Sequence, residues 1–128
     1  MKKPISKKFD IIEPVFCSCV TIIVGWKWDK LKNYLNKHQH LNEKPIDDFH
    51  EFSSGVQFQI KTKSGRIAWV IYLNQFVYMA KDLGILVHEV GHLVFRILET
   101  KQVPIRGEND EVFCYLQEYY VREIIKKI

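Results

Sequence analysis

The sequence predicts an α+β domain in which a small twisted β-sheet packs on an H-E-x-x-H helix and a C-terminal helix. Three observations predict it. Residues 15–24 and 67–73 are apolar, rich in β-branched side chains and bounded by turn residues, as strands buried on both faces are. Residues 55–60 alternate, with Val56, Phe58 and Ile60 on one side and Gln57 and Gln59 on the other. Residues 82–98 and the stretch from Asn109 to the end repeat apolar positions at helical spacing. With 128 residues, 47% hydrophobic and 27% charged, residues 1–128 have the size and balance of a single domain around one core.

The elements follow in order. The strand over 15–24 lies between Pro14 and Gly25. Trp28, Leu31, Tyr34 and Leu35 then recur at helical spacing with Lys27, Lys30, Lys32 and Lys37 on the other side, which predicts an amphipathic helix over 27–38. His38 and His40, two apart at its polar end, do not face one another as a helical metal pair would. Residues 41–54 are polar and read as a loop. Strands 55–60 and 67–73 form a hairpin through the turn at 63–66, an outer strand on an inner one. The motif helix ends in a loop over 99–107 containing Pro104 and Gly107, and the last helix starts at Asn109 as N-cap, with Phe113, Leu116, Tyr120 and Ile124 on one stripe.

Net charge is +4, and its densest basic segments are the two ends, Lys2, Lys3, Lys7 and Lys8, then Lys126 and Lys127. Terminal lysines read as solvated ends, so no nucleic-acid partner is expected. Three cysteines, Cys17, Cys19 and Cys114, make no disulfide framework and favour a reducing, cytoplasmic setting. Asp10, Glu13 and Pro14 interrupt what would otherwise resemble a cleavable leader, and no apolar run is long enough to predict a membrane span.

The chemistry concentrates in Val87-His88-Glu89-Val90-Gly91-His92. Residues four apart on a helix differ by about 40° in direction and about 6 Å in height, so His88 and His92 project from one face toward a shared tetrahedral ion. Glu89, about 100° round the helix, borders that face where a general base takes a proton from activated water. The helix is apolar almost all round and should be buried, and buried imidazoles and a carboxylate need partners, a need that Zn²⁺ meets. Gly84 and Gly91 lie on the stripe of His88 and open it either to a close-packed backbone or to a substrate.

A catalytic zinc commonly has three protein ligands and one open position. Neither a glycine three positions after His92 nor a histidine six positions after it is present, which argues against the longer metzincin motif, and Glu99 lies about 10 Å further along the axis, too far to share the ion unless the helix ends early. Glu111 is the expected third ligand, heading a stripe of Glu111, Tyr115, Glu118 and Arg122 on the last helix, with Glu108 as the alternative. Acidic residues in a first turn are also favoured by the helix dipole alone. Tyr115, one turn on, is either an oxyanion donor or a core residue, and Cys114 reads as a small buried apolar side chain.

Leu86-Val-His-Glu-Val-Gly-His-Leu-Val-Phe followed by Glu108-Asn-Asp-Glu-Val-Phe-Cys-Tyr-Leu resembles the small zincin-like metallopeptidases of bacteriophage and prophage genomes. The resemblance implies His88, His92 and Glu111 as zinc ligands and Glu89 as base. It also resembles, more distantly, the metallopeptidases of mobile elements that cleave phage-type repressors; the segment Glu111-Val-Phe-Cys departs from their pattern, so their substrate does not carry over. The expected function is zinc-dependent hydrolysis of a peptide or protein substrate, with a sheet edge holding an extended peptide. The alternative is a non-catalytic zinc-stabilised binding or phage morphogenesis protein.

Overall fold

The computed structural model describes residues 5–37, 39–40, 54–61 and 64–128. In sequence order they form β1 (Lys7–Ile12), β2 (Cys19–Val24), α1 (Trp28–Asn36), β3 (Gln39–His40), β4 (Gly55–Lys61), β5 (Ile67–Leu73), α2 (Ala80–Thr100) and α3 (Asp110–Lys127). The strands make one mixed sheet in the order β1-β2-β5-β4-β3. β2 and β5 run parallel, and every other neighbouring pair is antiparallel. The fold is α+β, as the sequence predicts.

Both sheet faces are covered. Val20, Ile22 and Val24 of β2 and Trp69, Ile71 and Leu73 of β5 pack under α2 and α3, which contribute Leu86, Val90, Leu93, Leu116, Tyr120 and Ile124. The opposite face, with Ile23, Phe58, Val70 and Tyr72, receives Leu31 and Leu35 of α1. Two covered faces explain why β2 and β5 read as continuous apolar runs rather than alternating ones. Truncating a fully buried member such as Leu93 to Ala costs about 2–5 kcal/mol in cores of this kind.

The first strand departs from expectation. Residues 15–18 form the β1–β2 turn, and strand geometry begins only at Cys19. The cause is Glu13, whose buried carboxylate accepts the backbone N–H groups of Val15 and Phe16 at 2.7 Å each and of Ser18 at 3.4 Å. Cys17 takes a φ of 55° within this turn. β1 itself is an edge strand whose lysines and Asp10 obscure the alternation of Phe9 and Ile11 toward the core. Nor are the terminal lysines simply solvated. Lys7 Nζ donates to the carbonyls of Lys127 and Ile128 at 3.1 and 2.9 Å, and Lys127 Nζ donates to Asp10 O at 3.1 Å. A cation at the last carbonyls of a helix is favoured by its dipole, so the basic ends join β1 to α3.

The helices shift by one to two residues from their sequence bounds, as helix ends do. The β4–β5 hairpin forms with Gly65 at φ 84°, while Lys63 of its expected turn lies outside the described residues. The same holds for nearly all of the expected loop at 41–54 and for the side chains of His38 and His40. Among the described residues, no helix is long and apolar enough to cross a membrane.

Candidate metal and peptide groove

The start of α2 is fixed by its third residue. Asp82 is buried and accepts the Val77 N–H at 2.7 Å, folding the preceding loop back onto the helix. Tyr78, at φ 60°, donates its hydroxyl to Ile125 O at 3.1 Å and meets the Phe76 ring edge-on. With that end anchored, the apolar stripe through Leu86, Val90 and Leu93 sets the rotation of α2. The motif is thereby turned half out of the core.

That rotation corrects the expectation of a wholly buried helix. His88 and His92 are exposed, as are Val87 at 41% and Phe95 at 52%, while Glu89 alone of the motif's polar residues is buried, at 8%. The imidazoles therefore need no metal to offset burial. What the structure does bring together is their nitrogens. His88 Nε2 and His92 Nε2 lie 3.1 Å apart, with ring planes at 85°. Two nitrogens sharing one tetrahedral zinc at about 2.0–2.1 Å are about 3.3 Å apart, so the pair fits two corners of such a site. The distance equally suits an Nε2–H donating to a bare Nε2 across two neutral rings.

Glu89 sits between this pair and the sheet. Burial pushes its carboxyl pKa up, and the neighbouring His92 and His88 pull it partly back. On the sheet side it meets β4 where only a glycine stands: a β-carbon on Gly55 would lie 2.9 Å from Glu89 Cγ and 3.0 Å from Ile85 Cγ2. The groove divides around Glu89. One lobe, of about 540 Å³, is bounded by Ser54, Gly55, Lys81, Gly84, Ile85 and His88. The other, of about 290 Å³, is bounded by Gly55, Val56, Gln57 and His92.

Gln57 is a site residue that sequence reasoning missed. Its alternation with Val56 and Phe58 is legible, but the polar side of β4 turns to α2 rather than to water. Its Oε1 is buried and has no hydrogen-bond partner. Buried acceptors are nearly always paired, so this oxygen is an unmet acceptor on a residue that borders the groove.

Glu111 and Tyr115 are not brought to the pair. Phe113 packs edge-on against Phe95 with centroids 5.0 Å apart, and a β-carbon on Gly91 would lie 3.7 Å from Gln117 Nε2, so α3 runs antiparallel to α2 and turns Phe113 and Gln117 toward it. Glu111 lies two residues before Phe113, about 160° round the helix from it, and is exposed. Tyr115 shares that outward stripe, 42% exposed, with its ring against Tyr119, whose hydroxyl reaches Ile12 O of β1. The core stripe Leu116, Tyr120 and Ile124, not the acidic stripe, sets the rotation of α3. Glu108 and Cys114 are likewise exposed, the latter against the buried position expected of it. Among the described residues, no three His, Cys, Asp or Glu side chains are grouped so as to hold a metal ion. No family model matches the sequence, and neither a curated protein nor a solved structure matches it.

Proposed function

We propose that the protein is a zinc-dependent peptidase-like hydrolase of phage or prophage type, working in the cytoplasm on a peptide or protein substrate. The observation that carries this reading is the convergence of His88 and His92 at 3.1 Å beside the buried carboxylate of Glu89. Zn²⁺, when bound, supplies a Lewis acid that polarises a carbonyl and acidifies water. His88 and His92 would hold it through their imidazole nitrogens. Glu89, with its carboxyl pKa raised by burial, accepts a proton from the attacking water and delivers it to the leaving amine. Gly55 to Gln57 hold an extended backbone, and Gln57 Oε1 accepts one of its N–H groups.

Two ligands rest on geometry, the third on its place at the head of the acidic stripe of the last helix and on the resemblance. Level with residue 97 of α2 by the pairing of Gly91 with Gln117 and Phe95 with Phe113, Glu111 joins the site only if α3 both turns by about 160° and slides along its axis toward His92. The phage assignment also rests on resemblance, and the cytoplasmic one on three free cysteines. The alternative, a non-catalytic zinc-stabilised binding or morphogenesis protein, calls for a closed four-ligand site; the open groove on both sides of Glu89 favours the hydrolase.

Zinc content and peptide hydrolysis of the wild type, Glu89→Gln, His92→Ala and Glu111→Ala test the reading together. Glu89→Gln is expected to keep the metal and lose hydrolysis by about 10²–10⁴-fold, and His92→Ala to lose both. Glu111→Ala loses metal only if α3 turns. A wild type that binds no transition metal on titration defeats the proposal.

A further inference from the structure

The groove has unlike ends. One turn of α2 beyond His92, Phe95 is 52% exposed and presents its ring beside Phe113. Large aromatic side chains carry most of their energy in burial, so this half-exposed Phe95 ring, seven residues past His88 and on its stripe of α2, is an exposed apolar seat in line with the groove. At the other end lie Lys81, Ser54 and Gly84, and a β-carbon on Gly84 would meet nothing within 4 Å. Among the described residues Lys81 makes no ion pair, and the adjacent Asp82 is buried and engaged with Val77 N.

From Lys81 to Phe95 is fourteen residues of helix, about 21 Å, which an extended peptide at about 3.3 Å per residue spans in about six steps, from its first residue to its seventh. β4 supplies the direction. Ser54 and Gly55 lie by Lys81 to His88, while Gln57 lies by Glu89 and His92, so β4 and α2 advance in the same sense. β3 pairs with only Ile60 and Lys61, leaving the outer edge of Gly55 to Gln57 without a strand among the described residues. A strand added there antiparallel, the more stable pairing, runs from the Phe95 end to the Lys81 end.

We propose that the groove selects an extended peptide of about seven residues, with a large aromatic or apolar residue toward its N-terminus, seated on Phe95, and an acidic residue toward its C-terminus, facing Lys81. As a statement about substrate it rests on the hydrolase reading above, but the binding preference stands by itself.

The probes are fluorescent nonapeptides blocked at both ends: one with phenylalanine second and glutamate eighth among alanines, about 20 Å apart when extended, one with these two exchanged, and one with neither. Binding is read by anisotropy on the Glu89→Gln protein, and hydrolysis on the zinc-loaded wild type. The first peptide is expected to bind at least about tenfold tighter than the other two. Adding Phe95→Ala removes the phenylalanine preference, and adding Lys81→Glu removes the glutamate preference while leaving the other intact. Equal binding of the three peptides, or binding indifferent to both substitutions, overturns the proposal. Selective binding without hydrolysis by the wild type keeps the groove assignment and defeats the hydrolase reading.

Discussion

Gly55 and Glu89 occupy each other's space: a β-carbon on the glycine would stand 2.9 Å from the Cγ of the glutamate. Ile85 Cγ2 at 3.0 Å and Leu73 Cδ2 at 3.3 Å close the other sides. Gly55→Ala is therefore an overpacking change, expected to cost about 1–3 kcal/mol in chemical denaturation and to displace the proposed base. Gly84→Ala is its control, since a β-carbon there meets nothing within 4 Å. That substitution is expected to stabilise the protein by up to about 1 kcal/mol through helix propensity. A Gly55→Ala protein as stable as wild type would show that β4 and α2 are not packed this closely.

The buried carboxyl of Glu89 gives stability a pH dependence with a definite sign. Its folded pKa is raised above the ordinary value of 4.5, first by desolvation, with His92 and His88 opposing. Between the unfolded and folded pKa the native state holds the extra proton, so the contribution is complete below the unfolded value and is lost as pH rises through the folded one. With metal chelated, Glu89→Gln should gain stability on wild type as pH rises from about 4.5, then level off. A constant difference across that range, measured by urea titration, contradicts the burial.

The sheet core and both long helices were legible because their periods are strong. The apolar runs of β2 and β5 and the stripes Leu86, Val90, Leu93 and Leu116, Tyr120, Ile124 each have one way to be buried. β1 was not legible, because an edge strand needs only Phe9 and Ile11 inward and fills its other positions with charge. At the site, local spacing determined that His88 and His92 meet, since four residues on a helix fix that geometry. Which residues come from elsewhere depends on helix rotation and strand facing. Gln57 faces α2 because Val56 and Phe58 face α1, and Glu111 faces away because Phe113 and Gln117 face α2.

Cysteine reactivity reports the β1–β2 hairpin. Cys19 is partly buried beside Asp10, and burial first, then that carboxylate, raises its thiol pKa, with Arg66 opposing. Cys17, in the preceding turn, and Cys114 are exposed. A thiol reagent at pH 8 should label Cys17 and Cys114 several-fold faster than Cys19, whose rate keeps climbing above pH 9 as thiolate forms. Peptide mapping after timed labelling distinguishes the three; equal rates would mean that Cys19 is not at the start of β2.

Among the described residues two buried oxygens lack partners, Gln57 Oε1 beside the groove and Tyr120 Oη in the core, and they separate function from stability. An unpaired buried polar group costs about 1–3 kcal/mol. Tyr120 lies on the core face of α3, where burial, with Glu13 adding to it, holds the phenol strongly protonated, and it borders neither lobe of the groove. Tyr120→Phe removes the orphan and keeps the ring, so it should raise stability by about 1 kcal/mol and leave peptide binding unchanged. Gln57→Leu removes the other orphan and should stabilise by a similar amount, but it also deletes the acceptor that faces an incoming backbone. Peptide affinity should then fall about tenfold, as when one hydrogen bond in a dry site is lost. Urea denaturation and anisotropy on the same two proteins give the four numbers. If Gln57→Leu stabilises and binding is unaffected, Gln57 is a packing residue and the peptide does not lie along β4.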